Sequence, residues 1–228
     1  MNEQDRNIEE RTLESTFCFI DIAGYTALTD VHGAHSAADL VQEFGALVNS
    51  NVEGHGQVHE LIGDCAFIVY PNPVAAIQSC AAIYRKVGQL REFPVLRTGL
   101  HHGSALFKNG RYFGTTVNLA ARVAAQAKGG EVLATGAVVE LLREHHVDEI
   151  EITHIGCVTL KNIPKATDLY TFRLSNVMNE YVIDPVCQMQ VDKLQAIGSI
   201  RHQEQTYWFC SLECVQRFTK CPDDYLQR

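Results

Sequence analysis

The amino-acid sequence predicts an α+β fold, in which helices pack on one face of a largely antiparallel sheet, followed by a small second domain. Apolar runs with strand spacing alternate with apolar residues at helical spacing, so both types of element are expected. A Gly-Asp pair between two apolar runs predicts a hairpin, which interrupts a regular βαβ series. Four of the eight cysteines lie in the last 42 residues, and this change in composition indicates a second domain.

Strands and helices are predicted in the order β-α-β-β-α-β-α-β-α-β-β. The first strand is "STFCFIDIAGYT", and the helix after it has apolar residues at helical spacing from Ala37 to Val52. "QVHELIGDCAFIVY" is the hairpin, and Pro73 lies in the first turn of the next helix. The remaining elements are the strand "VLRTGLHHGSALF", the helix "GTTVNLAARVAAQAKGG", the strand "EVLAT", the helix "GAVVELLREHH", a strand pair in "DEIEITHIGCVTLKNI" and the strand "ATDLYTFRL".

The composition, with 46% apolar and 20% charged residues, is that of a globular protein that can bury a core. The formal net charge of -8 argues against nucleic acid or an anionic membrane as the main partner. The N-terminal stretch "MNEQDRNIEERTLEST" lacks the features of a signal peptide, and no apolar run approaches the roughly 18 residues of a membrane span. We therefore expect a cytoplasmic location, where cysteines are reduced thiols or metal ligands.

The predicted boundaries are 1–174 for the first domain, 175–183 for a linker and 184–228 for the second domain. The cysteines of the first domain lie inside apolar runs and are interpreted as small core residues. They are Cys18, Cys65, Cys80 and Cys157.

Five sequence blocks follow one another within residues 12–173. They are "FCFIDIAGYTALTDVHG", "ELIGDCAFIVY", "RTGLHHGSALF", "RYFGTTVNLAARV" and "TLKNI". Together they resemble the catalytic domain of class III adenylate and guanylate cyclases. The resemblance implies a ferredoxin-like cyclase sandwich and an enzyme that converts ATP or GTP to a 3′,5′-cyclic nucleotide and pyrophosphate for intracellular signalling.

The resemblance also implies two metal ions, Mg²⁺ or Mn²⁺, held by the carboxylates of Asp21 and Asp64 and by the backbone carbonyl of Ile22. This is physically reasonable, because the end of the first strand and the hairpin turn can lie side by side and hard cations with oxygen ligands can clamp a triphosphate. Taken alone, Asp21 can be explained as a strand-end cap and Asp64 as a turn residue.

Asn118 and Arg122 are four residues apart on the Ala-rich helix and therefore share one face of it. The resemblance makes Asn118 the residue that orients the ribose and Arg122 the one that stabilises charge on the reacting phosphate. It also makes Arg97 and Lys161 triphosphate-binding cations. In the family the metal carboxylates and the Asn/Arg helix of one site come from different protomers, so the resemblance implies a head-to-tail homodimer.

Two positions depart from the adenylate cyclase pattern. Glu60 stands where those enzymes usually have a base-reading Lys, and Arg111 stands where they have an Asp. Glu60 can accept hydrogen bonds from guanine N1 and N2 while Arg111 donates to O6, which favours guanine, whereas the overall resemblance favours adenine. A third possibility is that Glu60 and Arg111 pair with each other and close the base pocket.

The segment 184–227 resembles a YHS domain, through "DPVCQM", "HQEQTYWFCSLEC", the following Phe218 and "PDDY". At this size a hydrophobic core alone rarely suffices, so a metal staple is expected. The candidate ligands are Cys187, His202, Cys210 and Cys214, a set that favours Zn²⁺ or Cu⁺. Alternatively these cysteines are buried thiols around an aromatic core. Cys221 lies outside the pattern, and Gln188 stands where family members often have Gly.

The leading functional prediction is a purine nucleotidyl cyclase that works by two-metal-ion catalysis, with the YHS domain as an accessory module. The alternative is a catalytically weak or inactive cyclase fold that binds a nucleotide and is coupled to a metal-sensing YHS domain. A third class is a metal-responsive regulator in which the YHS domain is the principal part.

Overall fold

The computed structural model describes residues 10–145, 150–174 and 181–226. The larger part of the chain forms eight strands and four helices. In chain order they are β1 (Glu10–Ile22), α1 (Tyr25–Val52), β2 (Gln57–Ile62), β3 (Cys65–Tyr70), α2 (Pro73–Val87), β4 (Leu96–Lys108), β5 (Arg111–Phe113), α3 (Thr115–Gln126), β6 (Val132–Thr135), α4 (Gly136–Glu144), β7 (Glu151–Val158) and β8 (Thr167–Arg173).

All eight strands belong to one sheet with the order β2-β3-β1-β4-β6-β8-β7, and the short β5 pairs with β4. The pairing of β4 with β6 is parallel, and the other pairs are antiparallel. The α+β class is therefore confirmed, and the element order as far as α4 agrees with the predicted one apart from the additional β5. The predicted strand pair in 148–163 was wrong, because the structure describes a single strand there, β7, with an irregularity between His154 and Gly156.

Helices cover both faces of the sheet, which corrects the prediction of a single covered face. Alternate residues of β1 explain why: Cys18 and Ile20 belong to a core shared with α1, α2 and α4. Phe17 points to the opposite face and joins a second core that includes Ala120 of α3. Apolar residues on successive positions of one strand require a cover on both sides.

The fourth cysteine of the first domain, Cys157, is exposed on β7, so its interpretation as a core residue was wrong. Cys18 and Cys80 are buried as expected, and Cys65 is half-buried. The strand β7 lies at the edge of the sheet, where one of its sides faces solvent.

Helix α1 begins at Tyr25, well before the predicted helix, and it contains a kink at Gly33 with φ of 83° and ψ of 162°. A side chain at Gly33 would meet no atom within 4 Å, so the backbone conformation rather than space favours glycine there. The short first part of α1 buries Leu28 against the C-terminal segment. The helical pattern of the sequence did not indicate this part, because the residues that pack on Leu28 lie in the C-terminal segment, far away along the chain.

The C-terminal segment forms two small hairpin-like sheets and two helices. They are β9 (Tyr181–Ile183), β10 (Gln190–Asp192), β11 (Gly198–His202), β12 (Gln205–Phe209), α5 (Leu212–Lys220) and α6 (Asp223–Leu226). Residues 175–180 of the predicted linker lie outside the described residues, and 181–183 form β9. Cys210 precedes α5 instead of sharing a helix face with Cys214, because Ser211 caps the helix between them.

The C-terminal segment packs directly on the first domain. The Val95 N–H donates to the Gln188 carbonyl at 3.0 Å, and the Gln190 N–H donates to the Phe93 carbonyl at 3.1 Å. Leu28 of α1 lies in one buried apolar cluster with Phe209 of β12 and Phe218 of α5, among others. Backbone pairing and a shared core therefore join the two parts of the chain.

Candidate functional site

The two candidate metal carboxylates lie side by side where the central strand β1 ends and β3 begins. Asp21 is at the end of β1 and is aligned with Cys65, the first residue of β3. Asp64 occupies the turn between β2 and β3, and its carbonyl accepts a hydrogen bond from the Ile22 N–H at 3.1 Å. The hairpin is thus fixed to the end of β1, which places the Asp64 carboxyl beside that of Asp21.

Arg97 is aligned with Asp21 across the β1–β4 pair. Its Nε donates to Asp21 Oδ2 at 2.7 Å, and its Nη2 contacts the same oxygen. Burial raises the pKa of Asp21 to about 6, and the neighbouring Asp64 carboxyl also raises it, while Arg97 acts in the opposite direction. Two carboxyls that share a half-buried position gain from added positive charge, so this donor set fits a hard divalent cation with oxygen ligands.

A cavity of about 490 Å³ opens beside this acid pair. It is lined by Asp64 and Arg97, by the first turn of α1 at 25–27, and by Lys128 after α3. The first N–H groups of a helix have no partner within it and attract anions, so this cavity offers donors and positive charge to a phosphate chain. Lys128 was not among the predicted site residues, since the "AKGG" sequence was interpreted only as a helix end.

Asn118 and Arg122 line a second cavity, of about 400 Å³. Asn162 contributes from the loop between β7 and β8, and His101 contributes from β4. Burial lowers the pKa of His101 to about 4, with a smaller contribution from the neighbouring His102, so His101 is neutral at pH 7. The structure therefore brings Asn118 and Arg122 together, and within one chain it places them in a different cavity from Asp64 and Arg97.

Lys161 is exposed, and its neighbours Asn162 and Ile163, rather than Lys161 itself, line the second cavity. The predicted role of Lys161 in binding the triphosphate stays a prediction. Its position beside that cavity leaves the long side chain free to reach toward a bound ligand.

Glu60 and Arg111 lie on two strands that are not adjacent in the sheet, β2 and β5, and their side chains are not paired. Glu60 is half-buried on β2, and Arg111 is exposed at the start of β5. Among the described residues no hydrogen bond or ion pair joins these two side chains, so the possibility that they neutralise each other is not realised within one chain. The rings of His59, next to Glu60, and Tyr112, next to Arg111, are in edge-on contact with their centroids 5.1 Å apart.

A second group of candidate ligands lies where the C-terminal segment meets α1. The Sγ atoms of Cys187, Cys210 and Cys214 and a ring nitrogen of His32 all lie within 4.8 Å of one another. The structure thus brings His32 to the three cysteines, whereas the predicted fourth ligand was His202. His202 lies elsewhere, with its ring edge-on to Phe218 at a centroid distance of 6.0 Å and its buried Nε2 without a hydrogen-bond partner.

His32 could not be identified from the sequence, because it lies 178 residues before Cys210 along the chain. Cys221 is exposed and outside the group, as expected.

Comparison with known proteins agrees with this architecture. The chain matches the model of the adenylate and guanylate cyclase catalytic domain over residues 8–184 and that of the YHS domain over 182–228. It is 31% identical over 127 residues to the pH-sensitive adenylate cyclase MT1302 of Mycobacterium tuberculosis, covering 56% of this chain and 32% of that protein. It is 32% identical over 126 residues to an adenylate cyclase of Glutamicibacter nicotianae, covering 55% and 31%.

Among solved structures, the adenylyl cyclase CyaB from P. aeruginosa superposes with a TM-score of 0.63 at 18% identity, over 75% of this chain and 98% of that one. In the comparison with the two adenylate cyclases of known sequence, the matched part of this chain spans about a third of each relative's length. At this identity the structural likeness shows the fold.

The sheet and its helices therefore have the fold of the adenylyl cyclase structure above. The chain belongs to the adenylate and guanylate cyclase catalytic domain family, and a YHS domain follows its cyclase domain. Among the helices that the structure describes, none combines the length and the apolar character needed to cross a bilayer.

Proposed function

We propose that this protein is a nucleotidyl cyclase that converts a purine nucleoside triphosphate to its 3′,5′-cyclic nucleotide and pyrophosphate. The observation that supports it most is the adjacency of Asp21 and Asp64 at the sheet edge, beside a cavity with phosphate-binding character. A chain of this family that keeps the carboxylate pair together with Asn118 and Arg122 has the side chains the reaction needs.

In the reaction, the ribose 3′-oxygen bonds to the α-phosphorus, the bond from that phosphorus to the β-phosphate oxygen breaks, and the hydroxyl proton is lost to solvent. Asp21, Asp64 and the Ile22 carbonyl would hold Mg²⁺ or Mn²⁺, which when bound supplies activation of the hydroxyl and neutralisation of phosphate charge. Arg122 donates to the charged phosphate oxygens, and Asn118 orients the ribose.

Arg97 and the first turn of α1 supply donors for the β- and γ-phosphates. Lys128 lines the same cavity and adds positive charge to it. Because Arg97 is already bonded to Asp21, it also fixes the orientation of that carboxyl before substrate binds.

The complete site is proposed to form between two copies of the chain. Within a single chain, Asp64 and Arg97 line one cavity, while Asn118 and Arg122 line another. A head-to-tail dimer joins the first cavity of one protomer to the second cavity of its partner and makes two composite sites.

ATP is the proposed substrate, because the named relatives are adenylate cyclases. Glu60 favours the guanine edge by its acceptor chemistry, so it is the residue expected to reduce discrimination between the two bases. The cyclic product would act as an intracellular signal, and we place the reaction in the cytoplasm.

The test incubates the purified full chain with Mn²⁺ and either ATP or GTP and identifies the product by mass. We expect a cyclic nucleotide, formed faster from ATP. Asp64→Asn should lower the rate by at least about 100-fold, since it removes one of two metal carboxylates. Asp168→Asn, at an exposed acid of β8 that is paired with His154, is the matched control and should keep the wild-type rate.

Absence of a cyclic product from both nucleotides would overturn the proposal, as would a wild-type rate for the Asp64→Asn variant. The second candidate function, a nucleotide-binding regulator without turnover, is favoured by the departures at Glu60 and Arg111. It predicts that ATP or GTP raises the melting temperature of the protein while no product forms.

A further inference from the structure

His32, a residue of the cyclase domain, completes a group of three YHS cysteines. Cys187 Sγ lies 3.4 Å from Cys210 Sγ, and Cys210 Sγ lies 3.8 Å from Cys214 Sγ. His32 Nε2 is 3.5 Å from Cys210 Sγ. A tetrahedral zinc ion with bonds of about 2.3 Å to sulfur and about 2.0 Å to nitrogen would separate its ligand atoms by roughly 3.5 to 3.8 Å. The three separations from Cys210 are close to the edges of such a tetrahedron, and the other ligand atoms lie within 4.8 Å of one another.

The cysteines are held in place by the surrounding backbone. The buried Asp184 carboxylate accepts hydrogen bonds from the Val186 N–H at 2.8 Å and from the Cys210 N–H at 2.9 Å. It thereby ties the turn that carries Cys187 to the end of β12. Ser211 Oγ accepts from the Cys214 N–H at 3.2 Å and fixes the first turn of α5. Such a preformed arrangement is typical of a structural metal site.

His32 reaches the group because of the kink in α1. It is the last residue before Gly33, whose left-handed backbone conformation separates the short first part of the helix from the rest. Leu28 and Ala37, on either side of the kink, are buried against the C-terminal segment, so the approach of α1 to the cysteines is fixed by packing. His32 and Cys210 also line a cavity of about 420 Å³, which gives an ion a route to the group.

A disulfide does not explain the arrangement, because bonded sulfur atoms lie about 2.05 Å apart and these cysteines are free. A purely apolar role does not explain why a ring nitrogen of the half-buried His32 lies within 4.8 Å of three sulfur atoms. Three thiolates with one imidazole are, in contrast, a common closed set for a tetrahedral structural ion.

We propose that Cys187, Cys210, Cys214 and His32 bind one thiophilic d¹⁰ cation, Zn²⁺ in preference to Cu⁺, and that the cyclase domain supplies the nitrogen ligand. The site goes beyond the cyclase reaction and does not depend on it. A metal ion bound there joins the YHS domain to the helix that begins at the phosphate-binding cavity. Binding to the folded protein alone must stabilise the docked arrangement of the two domains.

The test uses the full chain, stripped of metal by a chelator under reducing conditions and then titrated with Zn²⁺ against a chromophoric competitor. We expect one tightly bound Zn²⁺ per chain. X-ray absorption of the zinc-loaded protein should show three sulfur ligands and one imidazole nitrogen. Replacement by Co²⁺ should give the intense visible bands of a tetrahedral thiolate site.

His32→Gln should weaken Zn²⁺ binding by at least about 10-fold and replace the imidazole signal by that of an oxygen ligand, as expected when a ligand is lost. The matched control is His35→Gln, three residues further along the same helix and exposed, which should bind Zn²⁺ as the wild type does. Cys221→Ser is the corresponding control for the cysteines.

Absence of Zn²⁺ binding by the wild-type chain would overturn the proposal. So would a wild-type spectrum without an imidazole ligand, a result that does not depend on how any variant folds. A folded His32→Gln protein with unchanged affinity and unchanged Co²⁺ bands would show that His32 is not a ligand.

Discussion

At the residue scale, opposing effects act on the pKa of the Asp21 carboxyl. Burial and the nearby Asp64 carboxyl favour its protonated form, and the Arg97 guanidinium favours the charged one. Because Arg97 is bonded to it in a single chain, Asp21 has a fixed orientation without any ligand. Arg97 is therefore a positioning residue for this carboxyl in addition to its proposed contact with the triphosphate.

Burial of His101 predicts how the free energy of unfolding depends on pH in the acid range. Its pKa is lowered to about 4, mainly by burial, and its Nδ1 lies 2.7 Å from Thr135 Oγ1. Between pH 6.5 and 4 the unfolded chain binds a proton at this residue that the folded chain does not, so stability falls as the pH falls through that window. We expect a loss of about 2 kcal/mol from His101 between about pH 7 and 4.5.

The measurement is urea unfolding of the wild type and of His101→Gln at several pH values. The variant should lose less stability on acidification, so the difference between the two free energies of unfolding should shrink as the pH falls. Parallel pH curves for both proteins would contradict the assignment of this acid sensitivity to His101.

Several candidate site residues were predicted because their sequence blocks resemble the cyclase family, and their local patterns agree with their places in the structure. Asp64 lies in a two-residue turn between two apolar runs, and Asn118 and Arg122 share a helix face by spacing alone. His32 carried no such signal, since its neighbours in space come from the other end of the chain and its approach depends on the backbone of Gly33. His202 matched a sequence pattern, but β11 places its ring against Phe218.

At the element scale, the contact of α3 with β4 decides where the Asn/Arg pair lies. Gly99 is on β4 beneath Ala124 of α3, and a Cβ at Gly99 would lie 2.0 Å from the Ala124 backbone nitrogen. Helix α3 can pack closely on strand β4 because Gly99 has no side chain. The strand thus sets the height of Asn118 and Arg122 above the sheet.

Gly99→Ala should therefore displace α3 or destabilise the fold. Overpacking typically costs about 1–3 kcal/mol, and about 3 kcal/mol or more is expected at Gly99 because backbone atoms cannot yield as a flexible side chain can. Calorimetric unfolding measures the change, and cyclase activity should fall with it. Gly45→Ala in α1 is the control, since its Cβ would make an ordinary 3.4 Å contact with Leu61 and alanine favours a helix.

An unchanged melting temperature for Gly99→Ala would mean that the close packing of α3 does not position the Asn/Arg pair. The sequence predicted both elements but not this contact. A glycine in an apolar strand indicates a close approach of some kind, and only the three-dimensional structure identifies the partner.

At the scale of the whole molecule, Asp64 with Arg97 and Asn118 with Arg122 line separate cavities of one chain, which are the two proposed half-sites. A proposal that depends on a second copy can be tested by complementation, because each half-site can be inactivated independently. One variant carries Asp21→Asn with Asp64→Asn, and the other carries Asn118→Ala with Arg122→Ala. Each variant alone should lack cyclase activity.

Mixing the two variants in equal amounts should restore about a quarter of the wild-type specific activity. If chains exchange at random, half of the dimers are mixed, and each mixed dimer has one intact site of two. The control mixes the single variants Asp21→Asn and Asp64→Asn, whose defects fall in the same half-site, and should show no recovery above the sum of its parts. An inactive mixture of the double variants, with dimers present, would contradict the composite site.

The contact between Gln188 and Gly24 limits how freely the two parts of this chain can evolve. Gln188 has a φ of 61°, a conformation that costs a non-glycine residue about 1 kcal/mol, and a Cβ at Gly24 would lie 2.8 Å from its Cγ. A YHS domain grafted from another protein with glycine at this position would leave Gly24 uncovered. A larger residue at Gly24 would require the Gln188 side chain to move. Substitutions at the two positions are therefore expected to covary, and an alignment of chains with both domains would contradict this if the two positions varied independently.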